Sequence, residues 1–166
     1  MDKAMSAGRY RMECVRDGAV IWAEEFDNLL TDLGRRSILD VYLDRATAMT
    51  SIFMGLKGAG TPVSADTMAS HGSWTEIASS VVANRLAPTF SAATGTTTAS
   101  KTTSTACPFP ILTASAVVIA GCFIVMSGTN APANTTGTLL SVGDFAASRT
   151  VNSGDTLNVT YTANLT

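Results

Sequence analysis

The stretch RYRMECVRDGAVIWAEEF, residues 9–26, most constrains what this chain can fold into. Two runs of β-favouring residues flank Asp17-Gly18. Asp-Gly supplies the positive φ angles that a tight hairpin turn requires. On the first run Tyr10, Met12 and Cys14 fall on one face, and Arg9, Arg11 and Glu13 on the other. That period-two alternation predicts a sheet with one buried and one wet face.

The period changes in NLLTDLGRRSILDVYLD, residues 28–44. Leu33, Ile38, Val41 and Tyr42 recur near 3.6 residues, with Arg35, Arg36, Asp40 and Asp44 elsewhere on the wheel. Thr31 suits an N-cap, and Asp32 suits the positive end of the helix dipole. The spacing predicts one helix over about 31–45, the only long one.

From Thr50 onward the chain reads as β. SIFMGL (51–56) is a short apolar strand, KGAGTP a loop, and SADTMASH a brief turn capped by Ser64 or Asp66. SWTEI is extended. ANRLAPTFSA (83–92) is expected as a strand near an edge or bulge, because Pro88 cannot donate to a ladder. TGTTTASKTTSTACPF (94–109) has the composition of a linker, yet Thr favours extended backbone, so an exposed strand pair is expected. ASAVVIAGCFIVMSG (114–128) is apolar on both faces and should be a central strand, with Gly121 marking a bulge or close approach. TLLSVGDF (138–145) and TLNVTYTANL (156–165) are further strands, with NSGD turning between 152 and 155.

These elements describe a mainly β chain: a single-domain β-sandwich, jelly-roll-like, with one helix and an N-terminal β-hairpin. The expected division is a hairpin over 1–27, able to reach outward as an arm, a helical segment over 28–49, and a sandwich over 50–166.

Charge narrows the function classes. Of 24 Asp, Glu, Lys and Arg residues, 17 lie in the first 57 positions, and none lies between Thr102 and Gly143. A net charge of −2 argues against electrostatic capture of nucleic acid and against a polybasic membrane-surface protein. The apolar run 111–126 falls short of the roughly 20 residues a spanning helix needs, and the first residues lack the apolar stretch of a secretion signal. Cys14, Cys107 and Cys122 stand far apart, with no metal-ligand spacing, and read as buried free thiols.

A catalytic constellation is not legible. His71, in DTMASHGSWTEI, is the single imidazole, and no nucleophile elbow, phosphate loop or dinucleotide fingerprint occurs. Asp66 and Asp155 sit in turn contexts, where carboxylates usually accept from nearby backbone N–H groups. The acidic cluster Glu24, Glu25 and Asp27 lacks a calcium-loop pattern. Trp22 and Trp74 read as core or interface anchors. The expectation is a protein that is not an enzyme, with no catalytic, cofactor or metal residues.

Several segments, taken in order, resemble a group of small virion structural proteins of tailed bacteriophages. They are NLLTDLGRRSILDVYL, SIFMGL, DTMASHGSWTE, NRLAPTFSA and GDTLNVTYT, over about 28–91 and 138–162. The first 26 residues depart from that pattern. The resemblance implies a head decoration or cement protein, made in the host cytoplasm and carried on the outer surface of the phage head. Its implied partners are the major capsid protein and neighbouring copies of itself, a homo-oligomer, with no nucleic acid and no membrane. Interface candidates are Arg9, Arg11, Trp22, Glu24, Glu25, His71 and Trp74. The alternative is a tail or tail-fibre-associated protein or host-glycan-binding module, whose groove would draw on Trp74, Glu76, Tyr161 and Asp155.

Overall fold

The computed structural model describes residues 6–44 and 48–165. Its strands are β1 Ser6–Arg16, β2 Ala19–Leu30, β3 Ile52–Gly60, β4 Trp74–Glu76, β5 Ala99–Thr102, β6 Cys107–Pro110, β7 Val117–Met126, β8 Thr138–Val151 and β9 Thr156–Leu165. One helix, α1 Asp32–Leu39, continues into a π-helical turn, Asp40–Asp44.

The hairpin forms as its sequence requires, with Asp17 and Gly18 both at positive φ. Every pairing is antiparallel, in the order β4-β3-β7-β8-β2-β1-β9-β5, with β6 also on β9. The strand that shapes the molecule is β2. Its body pairs with β1, whereas Asn28–Leu30 pair with Gly143, Val142 and Ser141 of β8. Two half-sheets therefore meet at β2 and face each other across one core, a sandwich-like arrangement. Tyr10, Met12, Leu157 and Val159 come from one half, and Met54, Leu56, Cys122 and Ile124 from the other.

The central strand is β7, between β3 and β8, and both of its faces are buried. Cys122 and Ile124 enter the main core. Phe123 and Val125 face the other way, into a second cluster with Leu139 and Val142, which Met68 and Trp74 cover. Gly121 lies at a register shift, and a Cβ there would stand 1.9 Å from the Gly143 carbonyl oxygen. The expected bulge and the expected close approach are the same feature.

The helix begins where the sequence placed it, with Thr31 Oγ1 accepting from Gly34 N at 3.0 Å. Its orientation differs from expectation. The surface that meets the sheet is Gly34, whose Cβ would come within 2.3 Å of the Leu140 carbonyl oxygen. Leu33 and Val41 are half-buried, while Ile38, Leu39, Tyr42 and Leu43 are exposed. The helix sits against β8 through its smallest residue, and much of the apolar stripe is left outside.

Other expectations also differ from what is seen. Residues 83–92 form no continuous strand. Leu86 makes an isolated bridge to Met54 and Phe90 one to Thr103, consistent with Pro88 interrupting the donor series. The Thr-rich stretch gives two short strands, but each pairs with β9 and not with the other. Strand β8 runs six residues beyond the expected limit, to Val151. The hairpin, read as able to reach outward, has β1 paired on both sides, to β2 and β9, with Tyr10, Met12 and Cys14 fully buried.

Candidate functional site

Because Tyr10, Met12 and Cys14 point inward, the intervening residues of β1 must point out. Registers then align them in rows across three strands. Arg9 stands between Asp27 of β2 and Thr162 of β9, and Arg11 between Glu25 and Thr160. The outer face of β2-β1-β9 carries a groove of about 570 Å³ lined by these residues, with Asn28 and Asn164 toward one end.

Charge in the groove is paired along its length. Arg9 donates through Nε to Asp27 Oδ1 at 3.0 Å and lies 3.6 Å from Glu25 Oε2. Arg11 bridges Glu25 at 3.6 Å and Glu13 at 2.6 Å. All five side chains are partly solvent-exposed, so each pair contributes little to stability, on the order of 0–1 kcal/mol. What they provide is a surface of alternating donors and acceptors, extended over β9 by Thr and Asn groups. Its far edge continues onto β5, where Thr102 and Thr162 hydroxyls are 2.9 Å apart and Ser100 Oγ donates to Asn164 Oδ1 at 2.7 Å.

Of the seven interface candidates, Arg9, Arg11 and Glu25 share this groove. Trp22 and Glu24 lie elsewhere, tying β2 to the far end of β8. Glu24 accepts from Ala146 N at 2.9 Å and Arg149 Nε at 3.0 Å, while the Arg149 guanidinium lies 5.9 Å from the centre of the Trp22 ring. His71 and Trp74 form a third place. Asp66 accepts there from Val63 N, Ser73 Oγ and Trp74 Nε1, at 2.8 to 3.1 Å through Oδ2, closing the 63–74 turn. Trp74 is buried against Phe123, and the His71 ring stacks on it at 4.2 Å, its Nδ1 3.3 Å from the Trp74 carbonyl oxygen. His71 is thus turned onto its own domain.

The four residues named for a glycan groove do not converge. Trp74, Tyr161 and Asp155 are buried, and Glu76 is paired with Arg85 away from solvent. Asp155 accepts from both Nε and Nη2 of Arg16 and from Asn152 N, and these bonds, the Arg16 pair foremost, hold its pKa down at about 2.

Two buried cations escaped the sequence reading. Arg85 donates twice to Glu76 at 2.8 Å and also to the carbonyl oxygens of Thr129 and Asn134, while Glu76 accepts from Ala133 N. The pair holds the 129–134 loop against the sheet. Lys57 donates to the Gly58 and Gly60 carbonyl oxygens, and its ammonium lies 2.6 Å from Asp144 Oδ1. That approach lacks hydrogen-bond alignment at Oδ1, so it acts as charge pairing. Registers Lys57↔Gly121 and Gly121↔Asp144 explain the reach, since the strand between offers a glycine for the lysine to cross. A lone lysine and a lone aspartate in apolar strands, with a glycine between, was the available signal.

No group of three or more His, Cys, Asp or Glu side chains suited to a metal occurs among the described residues. No described helix is long and apolar enough to cross a membrane. Residues 30–166 match the model of a family described as podophage GP4 fiber I protein gp80. No curated protein and no solved structure matches the chain.

Proposed function

The chain belongs to the podophage GP4 fiber I protein gp80 family, a phage structural protein family, and from that premise we propose that it is a fibre-associated component of a phage tail. The observation that carries this reading is the family match itself, which spans every strand from β3 to β9. The head-surface cement reading ranked first on sequence; the family's description favours the tail-fibre alternative instead.

In this reading the protein works as a scaffold and a contact surface. Its partners are neighbouring particle proteins and other copies of itself, and it performs no catalysis. The sandwich-like core, with β7 buried on both faces, makes the body stiff, and the polar groove supplies a docking face with many modest contacts, of the kind that gains strength by repetition. One groove wall, Thr160, Thr162 and Asn164, lies inside the family match. The other, Arg9, Arg11, Glu25 and Asp27, lies outside it. We assign the groove to a contact that draws on residues both inside and outside the matched region.

Localisation within the parent particle tests the proposal. Immunogold labelling or cryo-EM is expected to place the chain at the tail; density on the head shell alone would overturn the fibre reading and restore the cement one. For the groove, Arg9→Glu with Arg11→Glu is expected to reduce incorporation into particles while leaving the melting temperature within a few degrees. Full incorporation would remove the groove from the contact.

A further inference from the structure

An amphipathic helix normally turns its apolar stripe to the core. Here Gly34 occupies the contact with β8, so Leu39, Tyr42 and Leu43 remain 58%, 83% and 75% exposed, beside Ile38. Together with the exposed Met49 this patch is on the order of a few hundred Å², a size that on a soluble protein marks an interaction site. Directly beside it, Val41, Met49, Met126 and Thr138, with Ser37 and Asp40, line a cleft of about 260 Å³. That is below the size that suits a drug-sized ligand and nearer to that of one inserted side chain. A projecting aromatic and a receiving cleft thus lie on the same surface. A patch carrying both halves of a contact is complementary to itself and closes by twofold symmetry.

Charge selects the direction. Arg35 and Arg36 are exposed on the helix, Arg36 in its last turn, and Asp40 is exposed just after it, with Asp44 following in sequence. Arg35 is already paired with Asp32, leaving Arg36 and Asp40 as the outward charges flanking the stripe. Arg36 and Asp40 stand about one helical turn apart, so they set opposite charges along the exposed edge of the stripe. A second helix lying antiparallel sets Arg36 of each copy beside Asp40 of the other, so that both ion pairs form at once.

We propose that the α1 face is a self-association surface, on which two copies pack their helices antiparallel and each Tyr42 enters the cleft of the other copy. The surface is at the small end of stable interfaces, so association is concentration-dependent. The inference rests on the reading that copies of the chain meet in the particle, and it is tested on purified full-length chain, so its failure leaves the tail assignment standing.

Sedimentation equilibrium and light scattering across a concentration series are expected to show a dimer. Tyr42→Asp and Leu43→Asp are expected to shift it to monomer with an unchanged melting temperature. Arg36→Glu is expected to weaken the dimer at least tenfold, and Arg36→Glu combined with Asp40→Arg to restore it. A monomer at every concentration, or an oligomer indifferent to both apolar substitutions, overturns the proposal. Failure of the double charge exchange to restore association overturns the antiparallel arrangement.

Discussion

Asp155 ties the tip of the hairpin to the turn between β8 and β9. Its carboxylate is buried, and the Arg16 guanidinium, helped by Asn152 N–H, holds its pKa at about 2 against the opposing effect of burial. The folded value lies below the roughly 3.9 of an unfolded chain. The stabilisation is therefore complete above about pH 4 and is lost as pH falls toward 2. Because Arg16 is 41% exposed, solvent screening limits it to about 1–2 kcal/mol. Urea unfolding midpoints should fall between pH 5 and pH 2.5, and Asp155→Asn should flatten that part of the profile. Its turn role was legible from NSGD; its partner, 139 residues away, was not. Arg85 teaches the same lesson more strongly. Nothing local marks it as buried, yet Arg85→Met strands the Glu76 carboxylate and should cost about 3–5 kcal/mol by denaturant titration. Arg85→Met with Glu76→Met should recover part of that loss. His71, stacked and half-buried, should cost under about 1 kcal/mol as His71→Ala.

At the scale of elements, periodicity located what was long and regular. The hairpin, β7 and β9 were readable because alternation or an apolar run persists along each, and β3 because a short apolar run marks it. The 83–92 stretch misled because its composition is β-like while its pairing depends on single contacts, Leu86 to Met54 and Phe90 to Thr103. The helix was readable in place and cap but not in orientation, because the wheel ranks residues by hydrophobicity and glycine scores as nothing. Here glycine is the contact. Gly34→Ala should push α1 away from β8 and destabilise the fold by about 1–3 kcal/mol, against the small gain that alanine gives an exposed helix. Gly121→Ala should be at least as costly, since its Cβ would meet the Gly143 backbone and block the path of Lys57. Thermal melts of the two variants check both.

For the whole molecule, the first and last strands are neighbours, and β9 also carries β5 and β6. The half-sheet of β1, β9, β5 and β6 is therefore complete only once segments far apart in the sequence have met. Such long-range pairing predicts folding in milliseconds to seconds, measurable by stopped-flow refolding. All three thiols are free and buried, and burial raises each pKa, Cys14 to about 11. A thiol reagent should find essentially none in the native protein and three after denaturation. The sequence by itself determined the β class, the hairpin, the position of the helix and the turn carboxylates, since those follow from residues within a few positions of one another. Only the tertiary structure decided which charges are buried, which strands share β9, where the outward residues of three strands align into a groove, and which helix face meets water. Each of those depends on residues that the chain brings together from far apart, and no local pattern encodes that meeting.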